Sequence, residues 1–258
     1  MAVRAYLKPR SPAEALALIE GDERAALVGG GAYLRLASRG YETAVDLCEA
    51  GLDYLREESE ALRIGAMVTY RRLETDPAAR NYCGGLLARC VGNIVGVQVR
   101  NIVTVGGTVA GRYAFANLTT ALLALGADVV LERGGRKPLE QFLADKALVR
   151  DVLVEVVVPA VPQRGAWQDL TRVRADFAVL NAAAVRRGDA VRIAVGARPG
   201  AARLAFAAMA AAGAGDASGA GAAAAAELDF GDDLRASAAY RRRVCGTLVA
   251  RAVEEVLA

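Results

Sequence analysis

Two glycine clusters hold the residues best suited to chemistry. Gly29-Gly30-Gly31 follows the apolar run Ala25–Val28, and Gly106-Gly107 follows Ile102–Val105. Glycine has no Cβ, so its backbone can approach a ligand closely and successive N–H groups can converge on one oxygen-rich group. A strand, a glycine loop and a helix N-terminus together suit a phosphate. Two familiar versions of that arrangement are excluded. GxGxxG requires glycine where Leu34 stands, and the Walker loop requires a Gly-Lys-Ser/Thr ending that is missing. These residues alone leave plain alternatives open, namely a strand-to-helix turn at 29–31 and a tight turn between buried strands at 106–107.

The remaining side chains narrow the chemistry further. The sequence contains no histidine, which removes Ser-His and Cys-His pairs, histidine metal sites and the commonest general base. Cys48, Cys83, Cys90 and Cys245 form no CxxC pair and lack the close spacing of zinc or iron–sulfur sites. They are expected to be reduced, mostly buried thiols. Redox chemistry in this chain therefore requires a bound cofactor.

The elements that position the glycines follow from local signals. Ser11-Pro12-Ala13-Glu14 starts a helix, with Ser as cap, Pro at the first position and Glu three residues after the cap. Strands are predicted at 25–28, 43–47 and 61–64, with helices over 32–38 and near 69–74. Asp76-Pro77 opens a longer predicted helix carrying Leu86, Leu87 and Val91. The run 102–105 reads as apolar strand, and 118–125 as a helix ended by Gly126. Strands follow at 127–132 and 152–158, the first ending in a Gly134-Gly135 turn and the second closed by Pro159.

Pro159, Pro162 and Gly165 mark a boundary. Beyond it, strands 177–185 and 191–195 join through Gly188-Asp189. The Ala/Gly-rich segment 201–226 is expected to form two short helices around a glycine-rich break, with a disordered linker as the alternative. Residues 232–257 read as a final long helix, its Arg241–Arg243 run on a solvated or subunit-facing surface. The expected units are 1–55, 56–163 and 164–258.

Composition sets the outer limits. A hydrophobic content of 54%, with 24% charged residues, describes a globular chain rather than a disordered one. A net charge of +3, with arginines scattered among acids, gives no nucleic-acid footprint. No apolar run is long enough to span a bilayer, and the start MAVRAYLKPR lacks a signal-peptide core, so the expected location is cytoplasmic.

The order of these pieces is the informative feature: strand–GGG–helix, Gly65-Ala66, VRNIVTVGG from Val99, a strand ending in VVVP, a hairpin, then AYRRR and a long helix. Over nearly the whole chain it resembles the flavin-binding subunit of the molybdenum hydroxylases, the xanthine dehydrogenase and carbon monoxide dehydrogenase family. The match is most specific at Val28–Leu34, at Gly65-Ala66 and at Arg100-Asn101 through Gly107. The GRYAFANLTT segment looks most like the xanthine dehydrogenase branch.

The resemblance implies an α+β (mixed α/β) fold, with two subdomains enclosing FAD and then a C-terminal α+β domain. Leu27, Val28, Gly29, Gly30, Gly31, Ala32, Tyr33 and Leu34 would wrap the pyrophosphate. Thr104, Val105, Gly106, Gly107 and Thr108 would form a second cradle. Asn117 would face polar groups of the cofactor, Ile94 would lie by the flavin ring, and Leu153 would line the same pocket. The chain departs from the family pattern in having Asn117 where many members carry Asp, Ile94 where some carry an aromatic ring, and Gln168 nearest to a frequent Lys. The implied function is an FAD-dependent electron-transfer subunit without a catalytic side chain. Its implied partners are a large molybdenum-cofactor subunit and a small [2Fe-2S] subunit, with NAD or another acceptor receiving electrons. The alternative is a structural subunit of such a complex with weakened or lost flavin binding.

Overall fold

The computed structural model describes residues 3–34, 40–145, 150–160 and 163–258. The helix expected over 32–38 and the boundary residue Pro162 lie partly or wholly outside the described residues. The chain starts with β1 (Ala5–Leu7), α1 (Pro12–Gly21), β2 (Ala25–Val28) and β3 (Thr43–Asp46). Ser11 Oγ accepts the Glu14 N–H at 3.1 Å while the Glu14 carboxylate accepts the Arg10 N–H at 2.7 Å, which fixes the start of α1. Helix α1 buries Ala15, Leu16 and Ile19. The three strands form a parallel sheet in the order β1-β3-β2, and β2 ends where the first glycine cluster begins.

The middle of the chain contains β4 (Leu55–Glu57), β5 (Ala61–Gly65), α2 (Tyr70–Thr75), α3 (Pro77–Asn81), α4 (Leu86–Gly92), α5 (Val97–Ile102), α6 (Val105–Gly111), α7 (Asn117–Ala124), β6 (Asp128–Leu131), β7 (Gly135–Pro138), α8 (Leu139–Ala144) and β8 (Leu153–Pro159). Its five strands pair antiparallel in the order β4-β5-β8-β6-β7. Every residue of α7 is buried, so this helix is the central rod of the core. Gly126, at φ +63°, ends it as the sequence predicts.

Two expectations fail here. The helix opened by Pro77 does not continue to Val91, because Cys83, Gly84 and Gly85 all take positive φ and divide it into α3 and α4. The run Ile102–Val105 is not a strand. It links two short helices, with one isolated bridge from Thr104 to Thr69. The Thr104 hydroxyl accepts the Gly107 N–H at 3.2 Å and so caps α6. A cap satisfied three residues ahead outweighs the β preference of a run of four β-branched residues.

The last part comprises β9 (Arg164–Leu170), β10 (Leu180–Arg187), β11 (Ala190–Gly196), β12 (Arg203–Leu204), α9 (Phe206–Gly213), α10 (Ala217–Glu227) and α11 (Ala238–Leu257). The antiparallel sheet β12-β11-β10-β9 includes β9, which sequence reading did not find. The Ala/Gly segment forms the two expected helices. Gly221 lets α10 lie directly on α11, because a Cβ there would sit 2.3 Å from the Gly246 carbonyl oxygen.

Helix α11 starts six residues later than expected, capped by Ser237, whose Oγ accepts the Tyr240 N–H. Arg241 is fully buried rather than solvated, whereas Arg242 and Arg243 are exposed. Its guanidinium donates to the carbonyls of Val179 (2.9 Å), Gly231 (2.8 Å) and Ala236 (2.6 Å) and to Asp233. Among the described residues no helix is long and apolar enough to cross a membrane.

Candidate functional site

The two glycine clusters meet. A Cβ on Gly30 would lie 1.4 Å from the Ile102 carbonyl oxygen, and one on Gly29 would lie 2.6 Å from Thr104 Oγ1. Both loops therefore border one cleft of about 210 Å³. Gly31, at φ +68°, turns the chain along its edge in a conformation that side chains with a Cβ rarely adopt. The backbone N–H groups of Gly30, Gly31, Ala32 and Tyr33 have no acceptor among the described residues. They form a set of donors free for an anionic ligand. Among the described residues no lysine or arginine lines the cleft, and these amides are donors that a phosphate there could use.

The second cluster works differently from what its sequence suggests. Its amides are already committed: Val105 N–H donates to Val68 O (2.9 Å), Gly106 N–H to Ala66 O (2.8 Å), and Thr108 N–H to Thr104 O (3.0 Å). A Cβ on Gly106 would fall 2.6 Å from that of Ala66, so this glycine serves close packing of α6 on the Gly65-Ala66 segment. Gly107 is exposed on the cleft wall, with only Thr104 Oγ1 near its missing Cβ at 2.9 Å. Arg100 explains the Arg-Asn pair ahead of it. Its guanidinium bonds Glu74 at 2.9 Å and the Ile94 carbonyl at 3.0 Å, tying α5 to α2. Partial burial acts to raise the Glu74 carboxyl, but the hydrogen bonds from Arg71 and Arg100 prevail and hold it below its ordinary value.

Of the predicted positions, Leu27, Gly29 through Leu34, Thr104, Gly106 through Thr108 and Leu153 line the cleft. Val28 belongs to β2, and Val105 is buried in the core. Neither lines the cleft. Ile94 and Asn117 border a separate cavity of about 10 Å³, which also touches Tyr33, Tyr113, Phe115 and Phe177. Sequence reading missed Met67, Ile102, Gly111, Tyr113 and Asp151 in the cleft wall. The aromatic patch at 112–117 was the available signal for Tyr113. The Asp151 carboxylate accepts the Gly134 N–H at 2.9 Å, so it also holds the β6–β7 turn.

Asn117 is 1% exposed, and both its side-chain oxygen and its nitrogen are hydrogen-bonded within the protein. Thr120 Oγ1 donates to Asn181 Oδ1 (2.8 Å), Asn181 Nδ2 to Asn117 Oδ1 (2.7 Å), and Asn117 Nδ2 to the Cys90 carbonyl (3.1 Å). A carboxylate at 117 could not donate to Cys90, which gives the Asn a structural reason. Asn117→Asp is expected to cost about 1–3 kcal/mol, the usual penalty for a buried partner left unsatisfied, measured by urea unfolding. An unchanged midpoint would show that the relay carries no stability.

Gln168 donates to Glu255 at 3.0 Å on α11, on the C-terminal sheet. All four cysteines are free. Burial pushes the Cys83 thiol up to about 11 and the Cys245 thiol up to about 12, so both stay protonated at neutral pH.

Residues 1–161 match the family described as FAD binding domain in molybdopterin dehydrogenase. The chain is 30% identical over 253 residues to the uncharacterized protein YgfM of Escherichia coli (strain K12), a match covering 96% of this chain and 94% of that protein. It is 29% identical over 217 residues to the nicotine 6-hydroxylase medium subunit of Paenarthrobacter nicotinovorans, covering 76% of this chain and 75% of the relative. The fold is also similar to that of the carbon monoxide dehydrogenase from Hydrogenophaga pseudoflava which lacks the Mo-pyranopterin moiety of the molybdenum cofactor. That match has a TM-score of 0.89 at 29% identity and covers 99% of this chain and 97% of the other.

Proposed function

The chain belongs to the FAD-binding family of molybdopterin dehydrogenases, and from that premise we propose that it is the FAD-carrying electron-transfer subunit of a molybdenum hydroxylase complex. It takes electrons from [2Fe-2S] clusters on a small partner, downstream of a large molybdenum-cofactor partner, and passes them to an acceptor such as NAD. The observation that carries this reading is the convergence of Gly29-Gly30 on Ile102–Thr104 beside a row of amides that have no acceptor among the described residues. The residues fit a dinucleotide. The amides of Gly30 to Tyr33 would hold its diphosphate, Gly107 leaves the opposite wall open, and Leu27, Met67 and Leu153 offer apolar surface.

FAD, when bound, supplies the exchange between one-electron and two-electron chemistry. The protein's part is to bind, orient and shield it, and no side chain here has to act as acid or base. The division into units 1–55, 56–163 and 164–258 belongs to the same reading, supported by three separate sheets, the second of which begins at Leu55.

A second reading, a structural subunit with weakened flavin binding, is favoured by one observation. Asn117 and Ile94 lie behind aromatic rings and outside the main cleft. The visible absorption spectrum of the purified chain, before and after adding FAD, decides between them. Flavin bands retained after gel filtration support the electron-transfer reading. A protein that stays colourless after incubation with FAD overturns it in favour of the structural subunit.

A further inference from the structure

Leu234, in the loop between α10 and α11, is 99% exposed. The loop that displays it is held from several sides. Asp233 Oδ1 accepts the Arg235 N–H (2.8 Å) and the Ala236 N–H (3.2 Å), and the Asp233 N–H donates to the Ala236 carbonyl (3.1 Å). Buried Arg241 fastens the carbonyls of Gly231 and Ala236 on either side. Arg172 reaches across from the β9–β10 link and donates to the Leu234 carbonyl at 3.4 Å. One exposed leucine is ordinary. One held in place by its own loop loses little freedom when a partner covers it.

The surroundings make it part of a larger face. A recess of about 420 Å³ lies between Leu170–Arg172 and Arg235–Tyr240, with Val179 also in its wall. Val173, next to Arg172, and Tyr240, on the recess wall, are exposed apolar surface as well. The charge around them is positive. Arg172 and Arg174 are exposed and form no ion pair among the described residues. Both acids of the loop are already engaged: Asp233 is shared by Arg235 and Arg241, and Asp232 accepts the Ala238 N–H at 2.7 Å. An exposed apolar patch with a polar rim marks a place where another protein docks.

We propose that this face docks a partner subunit whose surface sets carboxylates around an apolar hollow. Leu234 enters the hollow, and the carboxylates meet Arg172 and Arg174. A second copy of this chain is the poorer match, because it would bring the same positive rim against this one. The proposal rests on the reading of the chain as one subunit of a molybdenum hydroxylase complex, and adds which face that complex holds.

The test purifies the tagged full chain from the host that makes it and measures molybdenum and iron per chain by mass spectrometry. The parent is compared with Leu234→Glu, Arg172→Glu and Phe206→Glu, the last altering an exposed apolar residue on α9, away from this face. The parent is expected to carry both metals, and to carry less of them as salt in the wash is raised. Leu234→Glu sets an acid against the partner's acids and is expected to lower both metals at least about tenfold. Arg172→Glu is expected to lower them severalfold, and Phe206→Glu to leave them unchanged. All three variants are expected to keep the parent's melting temperature and flavin absorbance, since each replaces an exposed side chain outside the cleft.

Metal contents in Leu234→Glu and Arg172→Glu equal to the parent's overturn the docking face and leave the proposed function standing. Flavin lost together with the metals in Leu234→Glu also overturns it, because the effect then runs through the cleft. A parent that is a dimer by light scattering, and that Leu234→Glu makes monomeric with its metals retained, gives the face to a second copy and overturns the acidic partner. A parent that carries neither metal overturns the proposed function itself and the docking face with it.

Discussion

Gly30→Val is expected to give a chain that retains no FAD and unfolds at a lower temperature than the parent. The added Cβ would sit 1.4 Å from the Ile102 carbonyl oxygen and 2.4 Å from its carbon. Backbone atoms occupy that space, so no rotamer change relieves the clash. The glycine loop and the end of α5 must separate, which opens the cleft at the point where the amides of Gly30 to Tyr33 converge. Overpacking of this kind costs about 3 kcal/mol at the upper end of its usual range, a fall in Tm of roughly 6–12 °C for a chain of this size.

Gly107→Ala is the informative contrast. Its Cβ would meet only the Thr104 hydroxyl, at 2.9 Å, and Ala favours the helix by about 1 kcal/mol over Gly. Stability is expected to change little while FAD affinity drops, because the methyl projects from the exposed cleft wall. Differential scanning fluorimetry and flavin retention through gel filtration, run on both variants, check the pair. Gly30→Val protein that keeps flavin as tightly as the parent would sink the placement of the diphosphate.

Arg241→Met carries the second large effect, and it falls on folding. The guanidinium is fully buried and serves three carbonyls and the Asp233 carboxylate. Removing one partner of such a pair costs about 3–5 kcal/mol, because the carbonyls of Val179, Gly231 and Ala236 lose donors that a thioether cannot replace. Urea unfolding at neutral pH measures the loss.

The pH dependence identifies its source. Partial burial acts to raise the Asp233 carboxyl, but hydrogen bonds from Arg241 and from the Arg235 and Ala236 amides outweigh it and bring it down to about 2. A folded value below the unfolded value of ~3.9 stabilises the fold at pH above that value, and the contribution is lost as pH falls towards 2. The gap in stability between parent and Arg241→Met is therefore expected to narrow between about pH 4 and pH 2. A gap that stays constant across that range would assign the whole effect to the three carbonyls.

Much of this structure was legible because its determinants are local. The start of α1 was read from Ser11, Pro12 and Glu14, which interact within one helical turn. β2 was read from four apolar residues before a glycine run, and the break between α9 and α10 from glycines in an alanine segment. Where reading failed, the deciding contact lay elsewhere in the chain or competed with a second local signal. The apolar run 102–105 has β propensity, but the Thr104 side chain caps α6 and settles the matter. β9 escaped notice because RGAWQDL has no clear alternation, and its pairing with β10 makes it a strand.

The sequence by itself determined where the two glycine clusters stand, which elements flank them, and that no histidine or cysteine pair is there to do chemistry. Tertiary structure alone decided that Gly30 lies against Ile102, that the Gly106 amide is spent on Ala66, and that Asn117 is sealed into a relay with Asn181. It also decided that Arg241 leaves its neighbours on the surface and goes into the core. Composition and periodicity report on residues within a few positions of one another. An arginine in a run of three reads the same whether water or three carbonyls surround it, and only the packed chain distinguishes the two.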